Sequence, residues 1–169
     1  MPLPYKIATL LYCFNERGEI LLLERAQEPN RGQWSPRGGK LKMDLGESPY
    51  ADVGREAQEE IGPRLAPSDL HLAGLISEHG YPGQTHWLMF LFEVKVKLQS
   101  LPPPPAEGRF GFFPRGQIFD LKIPRTGREQ IWRWFRHFRG GFLRCTAIAK
   151  RRDGMNGHWN RQGRSKKAE

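Results

Sequence analysis

One segment constrains this chain more than any other: SPYADVGREAQEEIG, Ser48 to Gly62. Ser48 suits a helix N-cap, and Pro49 suits the first helical position, where its missing N–H costs nothing. Asp52 lies near the positive end of the helix dipole. Tyr50, Val53, Ala57 and Ile61 recur at helical spacing and form an apolar stripe, and Gly62-Pro63 is a stop signal. Gly54 weakens the interior by about 1 kcal/mol relative to alanine. At about 100° per residue, Glu59 falls about 60° to one side of Glu56 and Glu60 about 40° to the other. Three carboxylates crowded on one face repel one another. A hard cation seated on them would resolve that repulsion.

A lone Glu-Glu pair is ordinarily a solvated surface. Here it closes an ordered series: Gly38-Gly39, Gly46-Glu47, Arg55-Glu56, Glu59-Glu60 and Gly62. Glu47, seven further residues, then Arg55 to Gly62 resembles the Nudix box, the loop–helix–loop signature of the Nudix hydrolases. The resemblance extends from about Lys6 to Phe138. It implies an α/β/α sandwich with a mixed sheet between helices, and Mg²⁺- or Mn²⁺-dependent cleavage of a nucleoside diphosphate linked to another moiety. Three departures stand out. Seven residues, Lys40 to Gly46, separate Gly39 from Glu47 where the pattern has five, so Lys42-Met43-Asp44-Leu45 reads as a loop lengthened by two. Arg37 stands where a proline often precedes the glycine pair, with Pro36 one place earlier. Pro63 replaces an aliphatic residue. None removes a carboxylate.

Residue by residue, the resemblance implies Glu56, Glu59 and Glu60 as metal ligands, joined by the backbone carbonyl of Gly39. Mg²⁺ takes oxygen ligands and keeps several waters, so a few carboxylates and the substrate phosphates suffice. Arg55 is the expected brace, its fork directed at Glu47 and at Glu59 one turn on. An ordinary surface ion pair is the plainer reading of Arg55. The general base is left open: Glu59 or Glu56 within the box, Glu107 in EGRFGFF outside it, and Glu78 in SEHGY as a further candidate.

The chain of 169 residues suits one domain, with a Nudix-like body over residues 1–145 and a basic tail over 146–169. From Lys150 onward, seven Lys or Arg face Asp153 and Glu169, leaving +5 of the formal +9. With little to bury, the tail is expected to be disordered and solvated, or to contact nucleic acid. Cys13 and Cys145 lie far apart without a CxxC motif, and no membrane span or leader is legible. A cytoplasmic protein is the expectation.

Lys6–Phe14 and Glu19–Arg25 read as strands around a turn at Asn15–Gly18. Leu70–Ser77, His86–Lys97 and Phe110–Phe113 are further strands. Thr126–Phe138 is expected to be a helix through Ile131, Trp134, Phe135 and Phe138. Trp34 reads as packing, with base stacking as the functional alternative. Tyr81 and Pro82-Gly83 mark an expected edge of the substrate pocket.

The segment EGRFGFFP…LKIP and the lack of an extra domain favour a MutT-like nucleoside triphosphatase that releases pyrophosphate and a monophosphate. Hydrolysis of ADP-ribose, a nucleotide sugar or a dinucleoside polyphosphate stays open, as does RNA 5′-pyrophosphohydrolysis. A non-catalytic nucleotide sensor is the alternative from another class, against which the complete set of carboxylates argues.

Overall fold

The computed structural model describes residues 2–81, 85–132 and 141–148. Among them seven strands form one mixed sheet: β1 (Tyr5–Asn15), β2 (Ile20–Arg25), β3 (Trp34–Ser35), β4 (Leu70–Tyr81), β5 (Thr85–Leu98), β6 (Gly108–Phe113) and β7 (Leu143–Ile148). The order is β3-β2-β1-β5-β4-β7, with β6 also paired to β2. β1 runs parallel to β5, and β4 parallel to β7, while β1–β2, β2–β3, β2–β6 and β4–β5 are antiparallel. The β1–β2 hairpin turns at Gly18, whose φ of 74° suits a residue without a Cβ.

The box segment forms helix α1 (Pro49–Glu56), continued by a single π turn over Ala57–Ile61. Ser48 caps it, its hydroxyl accepting the Ala51 N–H at 3.2 Å. Gly62 ends it, donating its N–H to the Ala57 carbonyl at 2.8 Å from a φ of 108°. Val53, Ala57 and Ile61 pack on one face of the sheet with Leu11, Cys13, Leu21, Leu23, Phe92 and Val94. Burying a Val or Ile side chain contributes about 1.5–3 kcal/mol, enough to hold the helix despite its crowded acids. Tyr50 stays 43 % exposed, touching the layer only through an edge contact with Phe92 at 4.9 Å.

The opposite face carries Tyr12, Phe14, Ile20, Leu22, Ile76 and Leu91. Against them pack Ile118 from a 3₁₀ segment (Arg115–Asp120), Ile123, and Ile131 and Trp132 at the end of a π turn over Gly127–Ile131. The architecture is therefore the expected sandwich with a mixed sheet at its centre. The expected helix over Thr126–Phe138 is described only as far as Trp132; Trp134, Phe135 and Phe138 lie outside the described residues. So do Pro82-Gly83 and residues 149–169, which include most of the basic tail. β3 and β7 were not foreseen, the one because two residues carry no pattern, the other because its polar positions blend into the basic tail.

Candidate active site

The glycine pair seats the box against the sheet. Residues 37–41 run beside β1, with Leu11 N–H donating to the Arg37 carbonyl at 2.6 Å and Thr9 N–H to the Gly39 carbonyl at 3.0 Å. A Cβ on Gly38 would stand 1.9 Å from the Thr9 carbonyl oxygen. A Cβ on Gly39 would stand 2.4 Å from the Glu56 carboxylate. The first position admits only hydrogen, because backbone faces it; at the second a Cβ would displace the Glu56 carboxylate.

The lengthened loop closes on itself. Met43–Leu45 forms one 3₁₀ turn ended by Gly46, whose φ is 63°. Glu47 donates its N–H to the Lys42 carbonyl at 3.2 Å, and its carboxylate accepts the Lys42 N–H at 2.8 Å. The added residues are thus taken up in an exposed bulge, with Leu45 73 % exposed, and Glu47 still reaches the helix.

Arg55 is the centre of what it reaches. Its Nε and Nη2 donate to the two oxygens of Glu47 at 2.9 and 3.2 Å. Nη2 also donates to Asp52 Oδ1 at 2.5 Å, and Nη1 to Glu56 Oε1 at 2.6 Å. Glu59 is a looser partner at 3.5 Å. The Arg55 fork, foremost, holds the Glu47 carboxyl below its usual range, and Glu47 and Glu56 hold the Arg55 guanidinium well above its own. The plain surface pair considered for Arg55 is therefore set aside.

Asp52 is the largest surprise in this group. It is fully buried, and its second oxygen accepts the Thr9 hydroxyl at 2.5 Å, tying α1 to β1. Burial, the leading cause, raises its pKa against the pull of Thr9 and Arg55. A favourable charge at a helix start was expected; a buried anchor was not. Its three-residue offset from Arg55 was the available signal.

Glu56, Glu59 and Glu60 follow one another across the junction of α1 and the π turn. The π turn shifts the phase of the helix after Glu56. Glu56 points toward Gly39 and Arg55, Glu59 has a side chain 58 % exposed, and Glu60 forms an ion pair with Arg37. Arg37 also donates to Glu107 at 2.7 Å, and this bond is the first cause of the lowered Glu107 pKa. Among the described residues, no group of three His, Cys, Asp or Glu side chains is arranged to hold a metal ion as it stands. Glu78 lies elsewhere. It is buried on the sheet face opposite α1, in register with Trp87, and accepts a hydrogen bond from the Thr126 hydroxyl. Burial raises its pKa. Trp34 packs edge-on against Phe113 at 4.6 Å, beneath the Arg109 guanidinium.

The model of the NUDIX domain family matches residues 4–138 of this chain. The chain belongs to the Nudix family. It is 26 % identical to a MutT protein from Methanosarcina mazei Go1, with a TM-score of 0.66 over 81 % of this chain and 97 % of that one. It also superposes on a mutator MutT protein from Bacillus halodurans, with 23 % identity and a TM-score of 0.67 over 85 % and 89 % of the two chains, a likeness of fold. A curated relative, an RNA pyrophosphohydrolase from Rhodospirillum rubrum, is 28 % identical over 78 % of this chain and 73 % of its own length. Nudix hydrolases as a class use divalent metal ions and nucleotide-type substrates. The donors here, carboxylates of Glu56, Glu59 and Glu60 beside a backbone carbonyl, are the hard oxygens such an ion takes. The Gly39 carbonyl gives one lone pair to Thr9 and keeps a second. The Arg55 guanidinium pairs with Glu56, and that of Arg37 with Glu60. Among the described residues no helix is long and apolar enough to cross a membrane.

Proposed function

We propose that this Nudix hydrolase is a MutT-like pyrophosphohydrolase that converts a nucleoside triphosphate, normal or modified, to a monophosphate and pyrophosphate. The observation that carries the reading is the Arg55 hub. One guanidinium fixes Glu47, Asp52 and Glu56 at 2.5–3.2 Å, so the loop and the helix present their carboxylates from one frame, tied to the sheet through Thr9.

In this reading Glu56, Glu59 and Glu60, with the Gly39 carbonyl, would hold Mg²⁺, with Mn²⁺ as a substitute. When bound, such an ion neutralises phosphate charge and acidifies water. The chain's own part is positional. Arg55 keeps Glu56 turned toward Gly39, and Glu47 fixes Arg55 by its fork. Water attacks phosphorus and a phosphoanhydride bond breaks. The water's proton passes to a carboxylate, its oxygen stays on the attacked phosphorus, and the bond between the α- and β-phosphates breaks to give the monophosphate and pyrophosphate. Glu59, the most exposed of the box acids, is best placed to take that proton; Glu56 is the next choice. Glu107 is engaged by Arg37 and Glu78 lies across the sheet, so neither is preferred as base.

A second reading, RNA 5′-pyrophosphohydrolysis, is favoured by the R. rubrum relative and by the seven Lys or Arg from Lys150 onward. Phosphate contacts of that kind bind RNA without reading its sequence. A cytoplasmic location remains part of the proposal. The test is a panel of nucleoside triphosphates, ADP-ribose, nucleotide sugars, dinucleoside polyphosphates and 5′-triphosphorylated RNA, with Mg²⁺ or Mn²⁺. Phosphate and pyrophosphate release are resolved separately. Glu60→Gln, run beside the wild type, should lose at least about a hundredfold in turnover. Unchanged turnover would remove Glu60 from the ligand set. Saturable nucleotide binding with no product from any substrate would favour a sensor.

A further inference from the structure

Arg37 is a cation buried at a place where the family pattern often has proline. The residue is 8 % exposed, and its backbone is pinned to β1 through the Leu11 N–H. From that anchor the guanidinium reaches two carboxylates from distant parts of the chain. Nε pairs with Glu60 Oε2 on the π turn, and Nη1 donates to Glu107 Oε2 at 2.7 Å, just ahead of β6.

A guanidinium stays charged at any working pH, and its planar fork suits two carboxylates better than an ammonium does. Glu60 has a side chain 20 % exposed, Glu107 one 49 % exposed, and Arg37 one 9 % exposed, so the Glu60 contact is the more shielded from solvent. Removing the guanidinium would take from Glu60 its ion-pair partner and leave Glu107 with only the more distant charges of Arg25 and Lys40. A divalent ion drawn to Glu60 therefore meets a carboxylate already engaged.

We propose that Arg37 is a resident counter-cation of this site, holding Glu60 and Glu107 together in the metal-free protein and competing with the divalent ion for them. It thereby sets the affinity for the ion and ties that affinity to the position of the Glu107 loop. The inference rests on the reading of Glu60 as a cation ligand.

Mn²⁺ binding to the full chain without nucleotide, measured by calorimetry and by loss of the free-ion electron-spin signal, tests it. Wild type, Arg37→Met, Arg37→Lys and Glu60→Gln are compared, with melting followed in EDTA and in excess Mn²⁺. Arg37→Met should bind Mn²⁺ about tenfold or more tightly than wild type, melt several degrees lower in EDTA, and gain more from Mn²⁺. Arg37→Lys, which keeps the charge and gives up the fork, should fall between. It also serves as the test if Arg37→Met does not fold without metal. Glu60→Gln should bind more weakly than wild type. If Glu60→Gln weakens binding and neither Arg37 variant strengthens it, the counter-cation role is overturned while the ligand reading stands. If Glu60→Gln binds as wild type does, the ligand reading fails and takes the Arg37 role with it.

Discussion

Arg55 grips Glu47 by both oxygens, Nε to Oε1 at 2.9 Å and Nη2 to Oε2 at 3.2 Å, across eight residues of loop and helix. A lysine has the charge but no fork, so Arg55→Lys cannot hold Glu47, Asp52 and Glu56 at once. The variant should lose about 10- to 100-fold in kcat with a smaller change in KM, as expected when groups are misplaced by about an ångström. The loss of stability should be about 2 kcal/mol, since buried Asp52 keeps Thr9 but loses the hydrogen bond from the guanidinium. Steady-state kinetics and thermal melting check both; an unchanged kcat would end the positioning role.

The two adjacent glycines should fail in different ways. Gly38→Ala drives a Cβ into the Thr9 carbonyl, part of a strand that cannot yield, and should cost more than about 3 kcal/mol. Gly39→Ala meets the movable end of Glu56. That variant should keep its melting temperature within about 3 °C, roughly 1 kcal/mol for a chain of this size, yet lose at least about tenfold in turnover. Equal effects on melting would show that the second glycine serves the fold alone.

Glu78 gives a pH signature. Burial raises its pKa in the folded state, so the folded protein binds this proton more tightly than the unfolded chain does. Its contribution is full below the ordinary glutamate range and is lost as pH rises from there through the raised folded value. Glu78→Gln preserves shape and stays neutral. The variant should match the wild type near pH 4 and gain on it steadily toward neutral pH. Denaturant melts across that range test the sign; a variant that falls behind at neutral pH reverses the argument.

Deletion after Ala149 should leave hydrolysis of nucleoside triphosphates within about twofold. If RNA is a substrate, the same deletion should slow its turnover at low salt and flatten its salt dependence, because phosphate contacts made by lysine and arginine release counterions. An equal, large loss on both substrates would put the tail within the active site.

Much of this fold was legible because it rests on local signals. The Ser48-Pro49 start, the Gly62-Pro63 stop and the apolar runs of β1, β2 and β5 are each written within a few residues. The pairing of Arg55 with Glu47 followed from a resemblance that fixes their spacing. What escaped depends on contacts made only after folding. Arg37 meets Glu60 and Glu107 through the placement of three separate segments, and no spacing rule connects them. Asp52 turns inward because Thr9 lies beneath it, a partner 43 residues away. The π turn was missed because every helical residue was counted at one constant angle.

The loop from Lys42 to Gly46 has a practical consequence. Its ends are stitched together by Lys42 and Glu47, so whatever hangs between them is tied to the carboxylate that Arg55 grips. An environment-sensitive dye on a cysteine placed at exposed Asp44 would ride on this stalk close to Glu47. Of the two native cysteines, Cys13 is buried in the core and would be slow to take the label, and Cys145 on β7 would first be replaced by serine. The longer loop thus offers a place from which nucleotide binding can be followed by fluorescence in real time.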